Sequence, residues 1–94
     1  MATDFSSLHN HHERAVFDAV LASASDYPLV GDDLLPDVAC VALNRLPSRY
    51  IRHEVDLAFY LTETERANNE QATAAAVKFA FEFVQARNVM KARG

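Results

Sequence analysis

The chain has a single cysteine, Cys40, among its 94 residues, which excludes an internal disulfide, a CxxC redox pair and a cysteine-built zinc site. That usage fits a reducing cytoplasm. Of its two glycines one is the last residue, so Gly-rich phosphate loops, tight hairpins and multi-strand barrels are disfavoured and long uninterrupted helices are favoured. Only Gly31 is left for a structural task. No basic leader with an apolar stretch opens the chain, and no run approaches the roughly 18 apolar residues a membrane span needs. A cytoplasmic protein without membrane contact is expected. The sequence also lacks a nucleophile elbow, an HExxH pair and a distinctive pair of carboxylates. The expectation is a protein that is not an enzyme and carries no cofactor.

What is there is apolar and acidic. Half the residues are hydrophobic and 23% are charged, the composition of one small folded domain spanning residues 1–94. The net charge of −4 argues against a general binder of nucleic acid or anionic membrane. The total conceals an asymmetry. Residues 1–44 hold seven acids and one base, residues 45–53 hold three arginines and no acid, and residues 54–94 hold six acids and five bases. The concentrated positive charge is one short segment.

Hydrophobic spacing predicts three helices. Leu8, His12, Val16, Phe17, Val20, Leu21 and Ala24 follow the three-and-four spacing of a helix from residue 7 to about 25, with Ser6 or Ser7 as N-cap. Pro28 breaks it. Asp32 and Asp33 then stand where carboxylates cap free N–H groups, and Pro36 fits a first turn, so a second helix is expected from Leu34 to Arg45 or Leu46. Its apolar residues, Cys40 among them, occupy most of the circumference, so it is expected to be largely buried. Residues 47–61 fit either a strand or extended segment, or a short helix through 56–60. Thr62 and Glu65 form a capping-box pair ahead of a third helix to about Arg87, with Ala72, Ala75, Ala76, Phe79, Ala80, Phe83 and Val84 as its main stripe. Val77 and Phe81 lie off that stripe, which leaves more apolar surface than two small helices can cover, and a homodimer is the expected cover. The fold class is mainly α: a small domain of three to four helices with room for one short strand.

His9, His11 and His12 have no partner at ligand spacing, so surface histidines explain them better than a metal, with His12 partly buried. The segment Asn44-Arg45-Leu46-Pro47-Ser48-Arg49-Tyr50-Ile51-Arg52 differs in kind. Guanidiniums grip phosphate and stack on planar bases, and an asparagine amide both donates to and accepts from a base edge. One reading is a small anion site. The other is a solvated turn whose arginines pair with Asp32, Asp33, Glu54 or Asp56.

The two blocks HNHHERAVFDAV and DVACVALNRLPSRY resemble the late competence development protein ComFB family, through Asn10, Glu13 and Val16 in the first and Asp37, Ala42, Leu43, Asn44, Leu46, Pro47 and Tyr50 in the second. The resemblance implies a small, dimeric, α-rich protein and, through a motif of the type KDxxAxALNRLPPxY, binding of the second messenger cyclic di-GMP. Asp37, Asn44, Arg45, Pro47 and Tyr50 match that motif, while Pro36 replaces its lysine and Ser48 its second proline. Arg49 and Arg52 are the inferred replacement for the lost charge. A cysteine pair that binds zinc in some members falls here on Asp32 and Leu35, so no zinc site carries over. The resulting expectation is a cyclic di-GMP receptor that signals through protein–protein contacts to an unidentified partner. Asp37, Asn44, Arg45, Pro47, Arg49, Tyr50 and Arg52 are its candidate ligand residues. The alternatives are a dimerisation or interaction module without nucleotide and, less favoured, a small DNA-binding adaptor.

Overall fold

A computed structural model describes residues 3–53, 55 and 61–93. The chain is mainly helical, at 71%, and the described residues include three helices and a two-stranded antiparallel sheet. In order these are β1 (His9–Asn10), α1 (His12–Ser23), α2 (Leu35–Arg45), β2 (Tyr50–Ile51) and α3 (Glu63–Arg93). Short 3-10 turns at Ala24–Asp26 and Asp32–Leu34 close α1 and open α2.

The first helix starts later than its apolar spacing predicts. Residues 9 and 10 are drawn into a sheet, pairing His9 with Ile51 and Asn10 with Tyr50. Neither Ser6 nor Ser7 caps the helix; the N-cap position falls to His11, whose side chain does not cap the helix. The Asn10 carboxamide oxygen accepts the His12 N–H instead, at 3.2 Å. His12, Val16 and Val20 are the buried face of α1. Tyr27, ahead of Pro28, leaves helical angles at φ −129, ψ 68, as a residue before proline must.

Asp32 and Asp33 do not act as side-chain caps. A 3-10 turn intervenes, and its free N–H is met by backbone, Leu34 N–H donating to the Gly31 carbonyl at 2.9 Å. Gly31 itself has φ −76, an angle open to any residue. In α2, Pro36 occupies the first turn and Leu46 ends the helix in extended geometry before Pro47. Only one side is buried, through Val38, Ala39 and Ala42, while Cys40 is exposed. The apolar run encircles the helix, but the core can cover only one arc of it.

Of the two alternatives for 47–61, a strand is present at Tyr50–Ile51, and the helix through 56–60 lies outside the described residues. Thr62 caps α3 as its spacing predicts, with Glu65 N–H donating to Thr62 Oγ1 at 3.1 Å. The helix runs on to Arg93, past the expected end at Arg87, because no breaker intervenes and Arg87 and Lys91 suit its negative C-terminal end. Its buried face is Thr73, Ala76, Val77, Ala80, Phe81 and Val84. Ala76, Ala80 and Val84 of the expected stripe are buried as predicted, but Val77 and Phe81 join them in the core while Ala72, Ala75, Phe79 and Phe83 are exposed, which rotates the buried face away from the expected stripe. Tyr27 decides the matter: its ring stacks on the fully buried Phe81, with centroids 4.4 Å apart and planes 5° from parallel.

Candidate functional site

Two segments far apart in sequence meet at the start of α1. Asn10 is 8% exposed, and its side-chain oxygen accepts the backbone N–H of Arg49 at 3.2 Å as well as that of His12. The His11 N–H donates to the Arg49 carbonyl at 2.6 Å. With the β1–β2 ladder, these bonds tie the Pro47–Tyr50 loop to the first helix. A buried amide oxygen with two backbone donors is fully used, so Asn10 fixes where the loop sits.

The fixed loop closes one end of a groove between α1 and α2, with a cavity volume of about 960 Å³. That is at the upper end of the roughly 300–1,000 Å³ of small-molecule sites. From α1 come Glu13, Phe17 and Leu21, which recur every fourth residue, and from α2 come Pro36, Cys40 and Asn44, again every fourth. Asn10, Ser48 and Tyr50 form the closed end. The Asn44 amide donates to Cys40 Sγ at 3.6 Å. The groove thus has apolar walls, two carboxylates in Glu13 and Asp32, and several amide and hydroxyl groups, and Tyr50 is 70% exposed.

Asp37 and Arg45 point elsewhere. Arg87 Nη2 lies 3.5 Å from Asp37 Oδ2, in a pair about half exposed on both sides, which places its worth at no more than about 1 kcal/mol. The Arg45 guanidinium lies 3.8 Å from the centroid of the Phe79 ring, and Phe79 stacks with Phe83 at 5.9 Å. The two contacts are equally spaced on each helix and run in opposite order, so α2 and α3 pack antiparallel along an exposed seam. Cation–π contacts at such exposure contribute about 0.5–1 kcal/mol.

Of the seven sequence-predicted residues, Asn44 and Tyr50 line the groove and Pro47 and Arg49 belong to its closing loop. Arg52 is exposed just beyond β2. Asp37 and Arg45 are on the α2–α3 seam. Among the described residues neither Arg49 nor Arg52 forms an ion pair with Asp32 or Asp33, whereas Glu54 and Asp56 lie outside the described residues. Asn10 and Glu13 are the residues that reading helix two alone misses, and the first block of the resemblance was the signal for both.

A second cavity of about 620 Å³ lies between α1 and α3, lined by His12, Arg14, Asp18, Asn69 and Thr73 among others. Among the described residues no group of three His, Cys, Asp or Glu side chains is placed to hold a metal ion, and no helix is long and apolar enough to cross a membrane. Asp4 has its carboxyl held below the usual range by the Ser6 backbone N–H, with its hydroxyl adding to the effect against slight desolvation, and it lines neither cavity.

The model of the late competence development protein ComFB family matches residues 9–88. That span takes in β1, the groove and most of α3. No curated protein and no solved structure matches the chain.

Proposed function

The chain belongs to the late competence development protein ComFB family, and from that membership we propose that it is a cyclic di-GMP receptor that passes its ligand state to a partner protein by direct contact. The observation that carries the reading is the convergence of both motif blocks on one groove: Asn10 and Glu13 from the first, Asn44, Ser48 and Tyr50 from the second. Cyclic di-GMP has two guanines and two phosphates. The Glu13 carboxylate is suited to accept from the guanine N1–H and N2–H₂, and the Asn44 amide to read a base edge. Tyr50 offers a ring to stack on. Arg49 sits between two lining residues, and with Arg52 it supplies positive charge for phosphate in place of the motif's lysine.

Asp37 and Arg45 carry less of this proposal than their motif positions imply. Their contacts with Arg87 and Phe79 support the second reading for these two residues, an interaction module in which they order the α2–α3 seam.

Titration calorimetry with cyclic di-GMP, GMP and a short duplex separates the readings. Binding of the cyclic dinucleotide alone is expected, weakened at least about tenfold, 1.4 kcal/mol, by Asn44→Ala or Tyr50→Ala with the fold intact. Absence of heat at high micromolar dinucleotide would sink the receptor reading. Salt-dependent retention of the duplex would favour a DNA adaptor instead.

A further inference from the structure

We propose that the cavity between α1 and α3 binds a small zwitterion of the amino-acid class, at a site separate from the α1–α2 groove. The reading of that groove as a nucleotide site is not needed for it. At about 620 Å³ the cavity falls within the roughly 300–1,000 Å³ of small-molecule sites. Two of its polar lining residues, from different helices, are more than nine-tenths buried: His12, the first residue of α1, is 8% exposed, and Thr73 of α3 is 7% exposed. The His12 imidazole is tilted against the His11 ring with centroids 5.2 Å apart. Among the described residues neither that imidazole nor the Thr73 hydroxyl makes a hydrogen bond. No polar side-chain atom there that is wholly shielded from solvent lacks a partner, so both groups are reached from outside, through the cavity they line. Buried polar groups in folded proteins are nearly always hydrogen-bonded. A hydroxyl and an imidazole both donate and accept, and the pair is set to hold one polar molecule between the helices.

Charge identifies that molecule. Arg14 and Asp18 of α1 line the cavity opposite Arg66 and Glu70 of α3, each pair four residues apart. Among the described residues Arg14, Asp18 and Glu70 form no ion pair. Side chains four apart on a helix stand about 5–6 Å apart at Cβ, so a small molecule reaches both members of a pair. The two arginines and two carboxylates cancel, which gives a phosphate or other dianion no net attraction. A molecule with one charge of each sign is matched at both ends. Its carboxylate belongs at the first turn of α1, where His12, Arg14 and the helix dipole favour negative charge. Its ammonium belongs one turn further on, between Asp18 and Glu70. Ala19, Leu61 and Ala74 add apolar lining suited to an aliphatic side chain.

Titrating the ¹⁵N-labelled full chain with leucine tests the proposal, with 4-methylpentanoate and 3-methylbutylamine as its two singly charged analogues. Leucine is expected to give saturable shifts at Ala15, Asn69 and Thr73, with half-saturation at about 1 mM or below, and each analogue to bind at least about tenfold more weakly. Asp18→Asn should weaken leucine about tenfold and leave 4-methylpentanoate unchanged. Thr73→Val should weaken leucine binding with Tm equal to or above that of the parent protein, because the hydroxyl has no partner in the chain; a threonine with a merely structural role would lose stability instead. Absence of shifts at about 20 mM leucine, equal affinity for leucine and 4-methylpentanoate, or saturable binding of inorganic phosphate at the same residues would overturn the proposal. Cyclic di-GMP added to the same samples keeps the two readings apart: shifts at Asn44 and Tyr50 from the dinucleotide, with none from leucine, refute the cavity site alone.

Discussion

Replacing Asn10 by alanine removes a side chain that joins the first helix to the motif loop. The Asn10 oxygen accepts from His12 and Arg49, both at 3.2 Å, and the residue is 8% exposed. Alanine leaves both N–H groups without that acceptor, at about 1–3 kcal/mol for each one that stays shielded from water. Since Arg49 is an exposed residue, water recovers part of its share, and the expected loss is about 2–4 kcal/mol. For a domain of this size that corresponds to a fall of roughly 10–25 °C in Tm. Asn10→Asp keeps the acceptor and adds negative charge at the start of α1, where the helix dipole favours it, so it should recover more than half the loss. The assay is thermal and urea unfolding by circular dichroism at one fixed protein concentration. A loss below about 0.5 kcal/mol for Asn10→Ala, or equal losses for alanine and aspartate, would refute the role given to the carboxamide oxygen.

Two further substitutions test how α3 is seated. Phe81→Ala should cost about 3–5 kcal/mol by emptying the space against Tyr27, while Phe83→Ala should cost less than about 1 kcal/mol; equal urea midpoints would contradict the assigned face. Thr62→Ala deletes the cap on Glu65 N–H and should lower stability by about 1 kcal/mol, with Thr62→Asp close to the parent protein in the same unfolding assay.

Local signals with a chemical cause could be read directly. The Thr62 cap, the stop at Pro47 and the tolerated Pro36 each follow from backbone bonding rules that need no tertiary context. The face of α3 was legible only in part: Ala76, Ala80 and Val84 were placed rightly, but apolar residues lie on both sides of them and periodicity cannot say which side meets the core. Phe81 was set off the buried stripe for that reason; the stacking partner Tyr27, which settles the matter, comes from a loop with no periodicity of its own. The same limit applies to β1. His9 and Asn10 become a strand only because Tyr50 and Ile51 lie alongside them, a pairing across most of the first half of the chain.

The candidate site divides along the same line. Asn44 and Tyr50 could be named from the residues of one segment, and both line the groove. Asp37 and Arg45 were grouped with them on type and spacing, yet helix α3 supplies Arg87 and Phe79 as competing partners. Glu13 enters the groove through the packing of α1 on α2, which no reading of the second motif alone contains.

The most direct test of the groove as the ligand site is a ¹⁵N–¹H correlation titration of the labelled chain with cyclic di-GMP. The account predicts shifts concentrated at Asn10, Glu13, Asn44, Ser48 and Tyr50, including the Asn44 side-chain amide. Shifts concentrated instead at Ala15, Asn69 and Thr73, which line the second cavity, or none at high micromolar nucleotide, would contradict it.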